Sequence, residues 1–354
     1  KGSQKKDVAV WERLCHSMPH CDIFFLPQYV NIYALNGQGE ACCFVCLKNE
    51  HDFMIYPFLK STINQLSFSR DLPSEYCDIS SPYGYGGCLR SNRCSISARQ
   101  FFEAFQNYCR AHKIVSEFVR FHPWLKTQNS CVKYLQMHRW NQVVAIDLLK
   151  SEAEIWRDFD SKNRNRIRKS QKSGITIKQD KNFAFLDDFC RVYYQTMDRN
   201  KALHYYYFDK QFLQHMIDTL SPNIALFHAF LKAKVIASLI IIYFHDFAHA
   251  HLAGADSTHL HLAPNNLLFY EAALWAKRRG HKIFNLGGAR SSHADDSLLK
   301  FKKRFSKNYY DYYIGGKIHN QKMYDALCRN CLENEKNNHY CPQIPDYFPL
   351  YRRT

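Results

Sequence analysis

A lysine beside an aromatic residue, Phe301–Lys302, follows a Gly-Gly pair and a polar loop in NLGGARSSHADDSLLKFKKRF (285–305). A lysine so placed can stabilise negative charge developing at a carbonyl or a phosphate. Lys300 and Lys303 flank it, so a surface lysine in a basic helix is the plainer reading of the same residues. Glu271 projects to the middle of an apolar helix face made by Leu267, Leu268, Ala272, Leu274 and Trp275. A carboxylate there must be paired or carry a raised pKa, which makes it a candidate general base. Its alternative role is a structural ion pair with Arg278, one turn further along that face. In VYYQTMDRNKALHYYYF (192–208), Arg199 has Tyr205, Tyr206 and other tyrosines for neighbours. A guanidinium fork with aromatic walls suits a phosphate or sugar phosphate. Tyr85, Gly86 and Gly87 lie in SPYGYGGCL (81–89), a loop whose backbone can approach a ligand closely.

No metal is assigned to this site. His249, His251, His259 and His261 follow no metal-ligand spacing and read as hydrogen-bonded structural histidines, one catalytic histidine remaining open. Cys328-x2-Cys331 with His339 and Cys341 supplies the ligand types of zinc, but its second half is irregular. The two cysteines fit one face of a terminal helix equally well. The other cysteines, as in ACCFVC (41–46), sit in apolar runs and read as reduced core thiols.

Positioning these groups takes alternating strands and helices. The apolar pattern predicts a hairpin about the Asn-Gly at 36–37, a strand at 52–60, a helix at 97–112, and strands at 115–124 and 142–149. Ser151 with Glu154 makes a capping box that starts a helix running to about Gln171. Its second half carries Lys162, Arg164, Arg166, Arg168, Lys169 and Lys172; at helical spacing these surround the axis, giving a solvated face or an anion-facing edge. Strands follow at 175–179, 223–231, 235–244 and 247–255, with helices at 183–198 and 209–220 among them. A helix at 264–280, a strand at 282–287, a strand at 308–316 and a helix at 320–337 complete the chain. A boundary near Leu149 divides it into domains at 1–150 and 151–354, each long enough to bury a core.

Forty-eight basic residues against 32 acidic give a formal charge of +16. That favours anionic partners, namely phosphate groups, RNA or an anionic membrane surface, without selecting among them; tRNA is an expected partner and DNA is not. The longest apolar run, 235–244, falls short of the roughly 20 residues a membrane helix needs. The basic start lacks the apolar core of a secretion signal, so the cytoplasm is the expected location, with contact at the inner face of the membrane left open.

The succession YEAALWAKRRG, IFNLGGA, FKKRF and YIGG through residues 270–316 resembles the Fem family of non-ribosomal peptidyltransferases and the wider acetyltransferase-like (GNAT-like) group around it. YGYGGCL and FVRFHP are similar to that family's glycine-rich loop and to a strand ending in an acidic residue and proline, although His122 stands where the acid would be. Fem enzymes build the interpeptide bridge of peptidoglycan precursors from aminoacyl-tRNA. The resemblance implies mixed α/β sheets in two tandem GNAT-like domains. It also implies Arg199 on a precursor phosphate, and Phe301 and Lys302 beside the acceptor.

The leading expectation is therefore an aminoacyl- or acyl-transferase that forms an amide on a phosphate-bearing envelope precursor, with no tightly bound cofactor. A CoA-dependent N-acyltransferase acting on an amino sugar is the second. Its difficulty is the loop STHLHLAPNN (257–266), which lacks the glycines that cradle a CoA pyrophosphate. A non-catalytic RNA- or membrane-binding protein is the third.

Overall fold

The computed structural model describes residues 1–70, 72, 74–289, 295–337 and 348–352. The chain forms two compact units, 1–140 with 312–354, and 141–311. A single cut near Leu149 was the expectation; the contacts instead return the C-terminal segment to the first unit. The reason lies in the last strand, which pairs with a strand of the first half.

The first unit opens with α1 (Lys5–His16) and α2 (Pro27–Tyr33), followed by β1 (Glu40–Asn49), β2 (Asp52–Thr62), β3 (Cys77–Ser80) and β4 (Leu89–Arg90). Then come α3 (Ala98–Ala111) and β5 (Ile114–Arg120). The hairpin predicted at 36–37 is not there. Pro27 opens a helix whose Tyr29, Val30, Ile32 and Tyr33 are buried, and Gly37 at φ +77° follows it. The hairpin is the next one along, β1 against β2, closing at Asn49↔Asp52. Phe101, Phe105 and Cys109 of α3 pack with Tyr56 and Phe58 of β2 to make this unit's core.

β6 (Gln136–Asp147) carries the chain into the second unit. There follow α4 (Glu152–Asp158), α5 (Ser161–Lys172), β7 (Ile175–Asp180), α6 (Leu186–Arg199) and α7 (Lys210–Leu220). β8 (Ile224–Leu231), β9 (Lys234–Phe244), β10 (Phe247–Ala255), α8 (Pro264–Arg278), β11 (Ile283–Gly288) and α9 (Ser297–Lys303) complete it. The helix expected from 151 to 171 is two helices. Ser151 does cap the first with a capping box, but Phe159 is extended and Asp160 caps the second. Phe159 breaks the helix because its ring packs between Tyr270 and Phe305.

The strand order in this unit is β6–β11–β10–β9–β8–β7. β9 is buried from Val235 to Phe244, so both faces of the sheet are covered. Phe227 meets Trp275 of α8, while the next residue, His228, meets Phe185 at the start of α6. Successive strand residues face opposite ways, so α8 and α6 lie on opposite faces.

β12 (Asn308–Ile318) and α10 (Gln321–Asn337) return to the first unit, where β12 pairs antiparallel with β5 from Ile314↔Arg120 to Ile318↔Ser116. Among the described residues no helix is long and apolar enough to cross a membrane. The mixed α/β class is as expected.

Candidate active site

The second unit's site begins where two parallel strands part. β10 and β11 pair at Phe247↔Ile283, Ala248↔Phe284 and His249↔Asn285. Beyond that, β10 runs on along β9 to Ala255↔Ala237, and β11 along β6 to Gly288↔Val143. Their facing edges thus separate toward their carboxyl ends, where α/β sheets take their ligands.

Asn285 shapes the parting. Its Oδ1 accepts the N–H of Gly287 at 2.6 Å, and its Nδ2 donates to His249 Nδ1 at 3.0 Å. Both side chains are buried. The local turn puts Gly287 at φ +78°, and the register on β6 slips between Asn285 and Gly287. A side chain at 287 would be strained by that φ, and its Cβ would lie 2.9 Å from Lys302 Nζ.

α9 delivers that lysine. Asp296 caps the helix through the N–H of Leu299 at 2.8 Å, and Leu299 and Phe305 are buried in the core. Lys302, half-buried, reaches back to donate to the carbonyl oxygen of Gly288 at 2.8 Å. Its neighbours do other things: Lys300 pairs with exposed Asp295 at 3.0 Å, and Lys303 donates to Gln142 and lies over the Tyr309 ring. Phe301, expected beside the substrate, packs edge-on against Phe269 and Phe305 at 5.8 and 5.3 Å between centroids. It anchors the helix that aims Lys302.

Arg199, the last residue of α6, stands at the carboxyl end of β10. Its guanidinium donates to Ser257 Oγ at 2.8 Å, Thr196 Oγ1 at 3.1 Å and the carbonyl oxygen of Ala255 at 3.3 Å. All are uncharged acceptors; among the described residues no carboxylate pairs with it. Partial burial lowers its pKa, because desolvation disfavours the charged form. Tyr205 and Tyr206 follow it in a short turn, edge to face at 5.2 Å, with Tyr205 exposed.

The approach to α8 is largely self-satisfied in its hydrogen bonds. Ser170 Oγ donates to the carbonyls of Leu262 and Ala263, and Asn266 donates to Asn163 at 2.7 Å. The N–H groups of Thr258, His259, Ala263 and Asn266 bond inside the loop, and Pro264 has none. Few N–H groups are left to cradle a pyrophosphate. Of the basic run on α5, Arg164 caps the carbonyls of Arg157 and Phe159, and Arg168 covers the Trp156 ring at 5.3 Å. Lys162, Arg166, Lys169 and Lys172 are exposed.

The remaining sequence candidates have surroundings of their own. Glu271 is half-buried, and burial pushes its carboxyl up against the opposing charge of Arg278, with Glu152 raising it further. Arg278 itself pairs with Glu152 at 4.0 Å. Tyr85, Gly86 and Gly87 belong to the first unit. Tyr85 is buried among Phe24, His122, Trp124 and Tyr312. Gly86 bonds to Arg120 and Thr127, and a Cβ at Gly87 would meet Thr127 at 2.6 Å. That loop's close approach is thus to its own chain. His122, standing where the resemblance would put an acid, pairs with buried Asp22 at 2.7 Å. Of the cysteine–histidine set near the C-terminus, Cys331 is buried in a small core with Leu327, while His339 and Cys341 lie outside the described residues.

Sequence reasoning missed the Asn285–His249 pair. An Asn two residues before a glycine at a strand end is a turn signal, but its partner comes from another strand.

The chain that carries this geometry has matches among known proteins. Residues 157–303 match the acetyltransferase (GNAT) domain family. That stretch is therefore similar to a GNAT domain. A UDP-N-acetylmuramoylpentapeptide-lysine N(6)-alanyltransferase of Weissella viridescens is 26% identical over 176 residues, covering 49% of this chain and 51% of that protein. The chain thus matches about half the length of this curated relative. FemX superposes with a TM-score of 0.68 at 12% identity, over 90% of this chain and 98% of its own. The C-terminal domain of a putative lysylphosphatidylglycerol synthetase from Agrobacterium fabrum gives 0.53 at 11% identity, over 92% and 96%. The mixed α/β fold with GNAT-like domains and the resemblance to the Fem family are met by these comparisons. The stretch matched by that family takes in Arg199, Glu271, Phe301 and Lys302 together.

Proposed function

We propose that this protein transfers an aminoacyl or acyl group to an amine of a phosphate-bearing cell-envelope precursor, forming an amide. The observation that carries the proposal is the placing of Lys302 Nζ against Gly288 at the mouth of the parted strands.

The amine nitrogen attacks the activated carbonyl carbon, and the carbonyl electrons move onto oxygen. Collapse of that oxyanion forms the amide and breaks the C–O bond of an ester or the C–S bond of a thioester. The amine's proton leaves with the departing hydroxyl or thiol. The ammonium of Lys302, held in a partly desolvated setting, stabilises the oxyanion, and the uncompensated charge of Arg199 receives a substrate phosphate. The rest of the enzyme's contribution is alignment of amine and carbonyl.

A GNAT domain fits acyl-CoA as donor. The loop before α8, with its N–H groups already spent, favours aminoacyl-tRNA instead. The acceptor class follows from the alanyltransferase relative: a UDP-linked muramoyl peptide with a lysine side chain. Synthesis from these substrates belongs in the cytoplasm, and the +16 charge suits tRNA and the anionic inner face of the membrane.

Mass spectrometry of reactions pairing alanyl-tRNA or acetyl-CoA with a UDP-muramoyl pentapeptide or an amino sugar tests this. Amide formed from alanyl-tRNA and the peptide is the expected result. Product from acetyl-CoA and the amino sugar would move the assignment to the second reading. No product from any pairing, with no ligand raising the Tm, would remove the transferase proposal.

A further inference from the structure

The first unit buries a polar group that the transfer chemistry does not use. Cys109 comes from the last turn of α3, Glu117 from the middle of β5, and His319 from the residue after β12. Their ligand atoms all lie within 4.8 Å of one another. His319 Nε2 is 2.6 Å from Glu117 Oε2, and the Tyr56 hydroxyl donates to Glu117 Oε1 at 3.4 Å. Glu117 is 1% exposed and the His319 side chain 4%.

The charge balance of this group is incomplete. Among the described residues Glu117 makes no ion pair with a lysine or arginine, although Lys317 stands opposite it in the ladder. An imidazolium at His319 would supply the counter-charge, but its Nδ1 is buried without a hydrogen-bond partner. A charged N–H left so is costly, and a neutral imidazole leaves the carboxylate's charge buried among neutral donors.

We propose that Cys109, Glu117 and His319 hold a divalent cation of the zinc class. One thiolate and one carboxylate cancel the charge of such an ion, and the neutral imidazole adds a nitrogen lone pair. A sulfur ligand with a nitrogen and an oxygen selects zinc-like ions over magnesium or calcium. Burial, then the Glu117 charge, pushes the Cys109 thiol up, so the thiol keeps its proton until the metal displaces it. Binding therefore releases one proton as the metal–sulfur bond forms. Ligands about 2.0–2.3 Å from zinc stand roughly 3.3–3.7 Å apart in a tetrahedron, so the His319–Glu117 contact opens by about 1 Å. Tyr56 then orients the carboxylate from behind, and the ion pins α3, β5 and the end of β12 together.

Zinc content after expression with zinc and exhaustive dialysis, together with the spectrum of the cobalt-substituted protein, tests the proposal on the full chain. We expect one zinc per chain in the wild type and in Cys190→Ser, and none in Cys109→Ser or His319→Ala. The near-ultraviolet sulfur-to-cobalt charge-transfer band should require Cys109. Stripping the wild type with a chelator should lower its Tm, and zinc should restore it. A wild type that retains no zinc and shows no cobalt–sulfur band overturns the proposal, whatever the variants do. So does a Cys109→Ser protein with the wild-type zinc content and band, because the metal then sits on another of the chain's cysteines.

Discussion

Lys302 Nζ and the carbonyl oxygen of Gly288 are joined by a hydrogen bond of 2.8 Å. The acceptor belongs to the end of β11 and the donor to the helix that follows it. The bond therefore fixes a cation at the point where β11 has parted from β10 and continues along β6.

Gly287 and Gly174 offer a matched comparison. Both have positive φ, +78° and +77°, but a Cβ at Gly287 would crowd Lys302 Nζ, whereas one at Gly174 would meet nothing within 4 Å. Either change to alanine should cost about 1 kcal/mol of stability from backbone strain. Only Gly287→Ala should also slow transfer, by about tenfold or more, because it displaces the lysine. Calorimetry and initial rates on the two variants check this.

Asn285 holds the same turn from beneath. Asn285→Ala removes both the acceptor for Gly287 N–H and the donor to His249. Its kcat should fall about tenfold or more with KM little changed, since the turn positions Lys302 rather than the substrate. Asn285→Asp keeps the acceptor and should recover part of the loss in the same assay.

Arg199→Ala should raise KM for the phosphate-bearing substrate about 10- to 100-fold, the worth of a charged hydrogen bond. Arg199→Lys should fall between, because it keeps the charge and loses the fork. Added salt should raise KM more in the wild type than in Arg199→Ala, a difference that titration of KM against ionic strength reads directly.

Glu271 gives a pH-dependent test. Burial lifts its carboxyl above the ordinary value of 4.5, so the folded state holds its proton more tightly than the unfolded state. Stability is then lost as pH rises from the unfolded value through the folded one. Glu271→Gln should therefore raise Tm at pH 7, and the two proteins should converge as pH falls below about 4. Among the described residues no hydrogen bond or ion pair joins Glu271 to Lys302, and the variant should keep its transfer rate within about twofold. A large loss of rate would restore Glu271 as the general base.

Much of the second unit was legible in the sequence because its signals are local. The apolar run at 235–244 is the buried strand β9, and Pro264 opens α8. The Gly-Gly of 287–288 ends β11, and Lys302 stands beside it. Failures came where a distant partner decided the outcome. Phe159 interrupts a helix because Tyr270 and Phe305 take its ring, and the Asn-Gly at 36–37 follows a helix because Pro27 and four buried side chains start one. Tyr85 and its glycines carry a ligand-loop composition but pack against β5 and Thr127. The Asn285–His249 bond and the Cys109–Glu117–His319 group each join separate strands or helices, which no spacing along one segment reveals.

The most direct test is the kcat of Lys302→Ala beside Lys300→Ala and Lys303→Ala, with the donor and acceptor that give amide. Loss of the oxyanion's cation predicts a fall of about 10²–10³ for Lys302→Ala, with its KM little changed. The two neighbours, engaged with Asp295 and with Gln142 and Tyr309, should stay within about threefold of wild type. A Lys302→Ala protein that turns over at the wild-type rate would contradict the role assigned to this lysine.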